Sequence, residues 1–184
     1  MRLIRLASIV LAAAIAGCAG TLPREPGAPA AAAFELEGRI AVRAGERAFS
    51  SQFRWQQSAV RDDVWLLAPL GQTIAHLEGT ADGAVLTTAE QRRYRAGSIE
   101  ALSESALGWA LPVELLRFWV LGEPAPGPAD PVERTAAGRI ALLGQQGWRV
   151  RFSYNDGAAR PSRLELGREG AEIRLVVDTL RVQP

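Results

Sequence analysis

From Phe34 onward, apolar and polar residues alternate. Phe34, Leu36, Ile40 and Val42 are interleaved with Glu35, Glu37 and Arg39, the period of two that a half-buried strand requires. Gly38 interrupts the run and predicts a bulge or a close backbone approach. Phe49, Phe53 and Trp55 alternate with Ser50, Gln52 and Arg54, a second strand joined to the first through a turn at Gly45. Val64–Ala68 is apolar on both faces and suits a central strand. Gln72–Gly79, Ala84–Thr88 and Arg92–Arg95 read as further short strands with a turn at Asp82-Gly83. Their close spacing predicts an antiparallel meander.

The period then changes. Ser98 stands where a helix N-cap belongs, and Ile99, Leu102, Ala106 and Leu107 recur at helical spacing until Gly108,. Pro112 predicts the first residue of a second helix, with Leu115, Leu116, Trp119 and Val120 along one stripe and an end at Gly122. Pro124, Pro126, Pro128 and Pro131 make the next segment an irregular loop,. Strand patterns return with Ile140 and Leu142, then Trp148, Val150, Phe152 and Tyr154, then Leu164 and Leu166, and finally Ile173, Leu175 and Val177. An antiparallel sheet with one inserted helical pair covering a face is α+β. Curved beneath that pair, it would enclose an apolar cavity, a place for an apolar ligand.

One stretch does not fit the alternation. Ala68-Pro69-Leu70-Gly71 joins two strand patterns. Pro69 removes a donor and ends the strand, and Gly71 tolerates the backbone angle a tight turn needs. Leu70 is left at the tip, either folded back onto the core or exposed to enter a lipid or a partner.

The N-terminus changes the picture of where the chain works. Arg2 and Arg5 precede the short apolar run Leu6–Ala16, which is too short to span a bilayer comfortably and reads as a secretory signal,. It ends Ile15-Ala16-Gly17-Cys18, the lipobox pattern of bacterial lipoproteins, so residues 1–17 are expected to be removed and Cys18 acylated. Ala19 follows, rather than the aspartate that retains such proteins in the inner membrane. Residues 18–33, with Pro23, Pro26 and Pro29, form a flexible tether,, and residues 34–184 form the folded domain. A chain of 184 residues, 48% hydrophobic and 22% charged, holds one sizeable core,. Its net charge of +1 gives no global field to draw in nucleic acid,.

Candidate chemistry is sparse. His76 is the one histidine and Cys18 the one cysteine, which leaves a zinc site with carboxylates alone. Nucleophile-elbow, phosphate-loop and dinucleotide patterns are absent from the sequence. Glu35 and Glu37 share a strand face, which reads as solvated rather than as a catalytic carboxylate pair. No cofactor is expected beyond the lipid on Cys18. Five tryptophans and five phenylalanines remain, as plain core or as the lining of a pocket.

These residues resemble the LolB family of outer-membrane lipoprotein receptors. The resemblance runs from Phe34 to about Val177. It is carried by Gly38-Arg39, Phe53-Arg54-Trp55-Gln56-Gln57, Pro69-Leu70-Gly71, Leu111-Pro112-Val113, Leu116-Arg117-Phe118-Trp119-Val120-Leu121-Gly122, Gly147-Trp148-Arg149-Val150 and Tyr154. It implies an open antiparallel β half-barrel with a helical lid over an apolar cavity, and no enzymatic activity. It implies that the protein accepts acylated lipoproteins from the periplasmic carrier LolA and inserts them into the inner leaflet of the outer membrane, as an anchored monomer facing the periplasm. The cavity walls would come from Phe53, Trp55, Trp65, Leu115, Leu116, Trp119 and Trp148. Leu70, between Pro69 and Gly71, would enter the membrane phospholipid. The alternatives are a structural outer-membrane lipoprotein without a lipid cavity, and a periplasmic hydrolase with a polar cleft.

Overall fold

The computed structural model describes residues 31–108 and 110–183. The signal segment, Cys18, most of the tether and Trp109 lie outside the described residues. Alternation produces the expected meander: β1 (Phe34–Ala44), β2 (Arg47–Gln57), β3 (Arg61–Leu67), β4 (Thr73–Thr80), β5 (Gly83–Thr88) and β6 (Arg93–Ala96). Two helices follow, α1 (Ile99–Leu107) and α2 (Val113–Trp119). The second set of strands is β7 (Val132–Arg134), β8 (Ile140–Gln145), β9 (Trp148–Ser153), β10 (Arg163–Arg168) and β11 (Ala171–Val182).

All eleven strands form one antiparallel sheet in the order β6-β5-β4-β3-β2-β1-β11-β10-β9-β8-β7. The last strand pairs with the first, β1 with β11, over the full length of β1. Strands β6 and β7 are its two edges, so the sheet is open and half-barrel-like. The turns after β1, β3, β5, β8 and β10 lie along one rim, the turn rim. The ends Phe34 and Val182 pair at the opposite rim. The β1–β11 register shifts beside Gly38, where the sequence predicts a bulge or a close approach: Glu37 pairs with Thr179 and Gly38 with Val177, so the extra residue is Asp178 on β11. A Cβ at Gly38 would stand 2.1 Å from the Val176 carbonyl oxygen, so only glycine lets the two backbones approach this closely.

One face of the sheet is apolar and covered by the helices. Phe34, Leu36, Phe53, Trp55, Leu143, Val150, Phe152, Leu164 and Leu175 are buried there with Leu115, Leu116 and Trp119 of α2. Helix α1 packs on β4, β5 and β6. The Ser98 side chain accepts from the Ala101 N–H, and Gly108 closes α1 in the left-handed region. Helix α2 differs in detail from the sequence reading. Pro112 is its N-cap rather than its first residue, and regular helix stops at Trp119, with turn hydrogen bonds carrying the chain to Gly122.

The other face carries ion pairs in solvent. Glu37 accepts from Arg54, Asp178 from Arg39, and Glu35 lies 3.9 Å from Arg181. The Glu35–Glu37 pair is therefore part of a charged outer surface.

Candidate functional site

Leu70 is 86% exposed. The turn that presents it is well formed: the Ala68 N–H donates to the Gln72 carbonyl at 2.8 Å, and the Gly71 N–H donates to the Ala68 carbonyl at 2.8 Å. Gly71 has φ +87°, in the region where a Cβ is strained. Proline before and glycine after thus fix a leucine on the turn rim with no core to fold onto.

The proposed cavity residues divide by strand phase. Phe53 and Trp55 face inward on β2, opposite Leu66 and Val64 of β3. Leu115, Leu116, Trp119 and Trp148 are also buried on the inner side. Trp65 is not among them. It lies between the inward Val64 and Leu66, so the pleat turns it outward, where it pairs with Arg54 and His76 across the ladder and stacks on the His76 ring at 4.7 Å. Trp65 is therefore part of the outer surface and not of a wall.

The six inward residues are each at most 8% exposed. They pack into one core with α2 instead of bounding an empty chamber. Two polar ties hold α2 in that place. Arg117 donates through Nε and Nη2 to the Asp62 carboxylate, which also accepts from the Trp55 indole at 2.9 Å. Asp62 is fully buried at the start of β3. Two residues further along α2, the Trp119 indole donates to Gln145 Oε1 on β8 at 2.9 Å. The same amide accepts from the Ala125 N–H and donates to the Ala125 carbonyl.

Side chains two apart on a helix point to nearly opposite sides. Arg117 thus reaches one half of the sheet and Trp119 the other, with five strands between β3 and β8. Helix α2 is a crossbar inside the half-barrel. Burial works against the Arg117 charge, but the Asp62 carboxylate outweighs it and holds the guanidinium above its ordinary pKa. Burial pushes the neighbouring Glu114 carboxyl up, with Arg117 pulling it back.

Sequence reasoning did not single out Asp62, Arg117 as a tie, or Gln145. A signal existed: Asp62 is in phase with the inward Val64 and Leu66, and Gln145 with the inward Leu143. A polar residue in an inward phase needs a buried partner.

His76 acquires neighbours on the outer face. Ligand atoms of Asp63, His76 and Glu78 lie within 4.8 Å of one another. Arg61 already bridges the two carboxylates, so the cluster holds its positive charge without a metal. Among the described residues no helix is long and apolar enough to cross a membrane.

A family model described as outer membrane lipoprotein LolB matches residues 32–179. An outer-membrane lipoprotein LolB of Azoarcus sp. (strain BH72) is 38% identical over 183 residues, covering 96% of this chain and 94% of that protein. One from Thiobacillus denitrificans is 37% identical over 184 residues, covering 98% and 99%. A solved DUF1329 family protein from Desulfovibrio piger superimposes with a TM-score of 0.50 at 11% identity, over 83% of this chain and 86% of that one, a likeness of fold alone.

Proposed function

Because the chain belongs to the LolB family of outer-membrane lipoproteins, we propose that it takes acylated lipoproteins from the periplasmic carrier LolA and places them in the inner leaflet of the outer membrane. The acyl chains of the cargo cannot cross water cheaply, since each exposed methylene costs about 0.8 kcal/mol. Transfer therefore runs from one apolar site to another. On this reading α2 is the lid: when it lifts, Phe53, Trp55, Leu115, Leu116, Trp119 and Trp148 change from core to acyl lining. The lipid on Cys18 anchors the protein, and residues 18–33 set its reach from the membrane.

The observation that carries the delivery step is the exposed Leu70, held at the tip of a hydrogen-bonded turn. Burying one leucine in lipid gains roughly 1.5–3 kcal/mol, enough to orient the rim towards the bilayer and too little to anchor it. The test uses the acylated chain reconstituted in vesicles and a carrier loaded with a radiolabelled lipoprotein. Label should leave the carrier without ATP and appear in the vesicles. Leu70→Glu should still draw label from the carrier but deliver it at least about tenfold less, as expected for losing an apolar contact worth more than 1.4 kcal/mol. Normal delivery by Leu70→Glu removes the role given to Leu70. Label that stays on the carrier with the unaltered protein favours a scaffold without a lipid cavity.

A further inference from the structure

The outer face of the sheet carries a cleft of about 1240 Å³ whose lining shares Gln145 and Trp148 with the α2 core but is otherwise separate from that core and from the Leu70 turn. It lies over β8, β9, β10, β11, β1 and β2 beside the turn rim. Its lining brings five arginines, Arg43, Arg149, Arg151, Arg168 and Arg174, against the carboxylates of Asp130, Glu165 and Glu172. This is an excess of two positive charges in one cleft of a chain whose net charge is +1.

Elsewhere on this face Arg39 pairs with Asp178, Arg54 with Glu37, and Arg61 with Asp63 and Glu78, whereas Arg93 and Arg163 stand singly. The cleft is distinguished by gathering several such arginines together. In the cleft only Arg174 has such a partner, Glu165 at 3.4 Å. Arg168 lies over the Trp148 ring. Arg43, Arg149 and Arg151 make no side-chain hydrogen bond or ion pair among the described residues. Arg149 is flanked across the ladder by Gly144 and Gly167, and a Cβ at Gly167 would meet nothing within 4 Å. The floor beside Arg149 is open on the Gly167 side, while on the Gly144 side Asp130 and Pro131 close over it, the Asp130 carbonyl oxygen 2.3 Å from where a Cβ would stand.

Register places Arg43 and Arg149 near the level of Leu70, with Arg151 and Arg174 in the row two residues further from the rim. Arg39, Gln52 and Leu67 share one cross-strand row. Leu70 is three residues beyond that row and Arg43 four, and Arg43 stands in line with Glu172, Gly167 and Arg149. A rim whose apolar tip enters a bilayer brings such arginines to the depth of the lipid phosphates, where guanidinium forks bind phosphate oxygens in pairs. We infer that this cleft holds the phosphates of anionic phospholipids at the membrane surface, so that delivery is guided by a headgroup contact as well as by Leu70. The inference rests on the reading of Leu70 as the membrane-side tip.

The test uses the acylated full chain in vesicles of phosphatidylcholine, alone or with phosphatidylglycerol added. Arginines are modified with phenylglyoxal, and each site is followed by mass spectrometry. Modification of Arg43, Arg149 and Arg151 should be roughly fivefold slower with phosphatidylglycerol present and should recover at high salt. Arg54 and Arg181, towards the opposite rim, should react equally in both vesicles. In parallel, Leu70→Cys carrying a polarity-sensitive dye reports whether the tip is in lipid. Equal modification of the cleft arginines in both vesicles overturns the headgroup contact whatever the dye reports. Protection that appears only when loaded carrier is added assigns the cleft to protein docking and also overturns it. A dye that stays in water while the arginines are protected removes the role of Leu70 and the depth argument built on it, and the headgroup contact then stands on the protection alone.

Discussion

Asp63 shows how much one outward side chain depends on its neighbours. A hydrogen bond from Arg61 holds its carboxyl below the ordinary carboxylate range, and His76 adds to the effect against a modest burial penalty. The unfolded chain therefore takes up this proton at a higher pH than the folded one. The stabilisation is fully present above the unfolded pKa of about 3.9 and is lost as pH falls through the lower folded value. Urea unfolding of the wild type and Asp63→Asn should show a stability gap at neutral pH that shrinks below the carboxylate range. A gap of equal size at both pH values would mean that the folded carboxyl is not depressed. At this scale the sequence was informative where the backbone itself was constrained. Gly38 announced a close approach because it lacks a Cβ, and Pro69–Gly71 announced a tight turn because proline and glycine act through their own φ. Trp65 stands outside the cavity wall expected of it because strand phase, not aromatic character, sets which face a side chain takes. The alternation that turns Leu66 inward turns Trp65 outward.

Among the elements, α2 is held least by its own sequence and most by its surroundings. It has seven residues and no side-chain N-cap, far short of what an isolated helix needs. Its place is set by buried Leu115, Leu116 and Trp119 and by the ties to Asp62 and Gln145. Arg117→Ala leaves a buried carboxylate with only the Trp55 indole, and should destabilise the fold by about 3 kcal/mol. Asp62→Asn with Arg117→Ala should be less destabilising than the sum of the two single changes by more than about 0.5 kcal/mol. Strict additivity in urea unfolding would show that the pair does not tie the helix to the sheet. Three-residue β7 (Val132–Arg134), just past Pro131, is too short to show a period. Both helices and every other strand were legible because periodicity and capping are local signals. Their ties were not, because the partners are 55 and 26 residues apart in the chain. A polar residue reads as solvated until its partner is known.

For the whole molecule, the family's fold was legible in the order of strands, helices and strands, whereas the state of its interior was not. Alternation says which side chains face inward but not whether they meet each other or a ligand. In this structure α2 fills the half-barrel. Opening exposes Leu115, Leu116 and Trp119, at roughly 1.5–3 kcal/mol each, or about 5–9 kcal/mol together. An acyl chain returns about 0.8 kcal/mol per buried methylene, so roughly six to eleven methylenes are needed before occupancy offsets the displacement of α2. Length should therefore act as a threshold. Hydrogen exchange of the acylated protein in vesicles should show faster exchange over residues 113–121 with palmitate and no change with hexanoate. Strands β1 and β11, paired along the length of β1, should be unaffected by either, since the sheet does not have to part for the lid to lift. Faster exchange with both acids at equal occupancy would mean that opening does not depend on acyl length. Faster exchange in β1 and β11 would mean that cargo enters by parting the sheet.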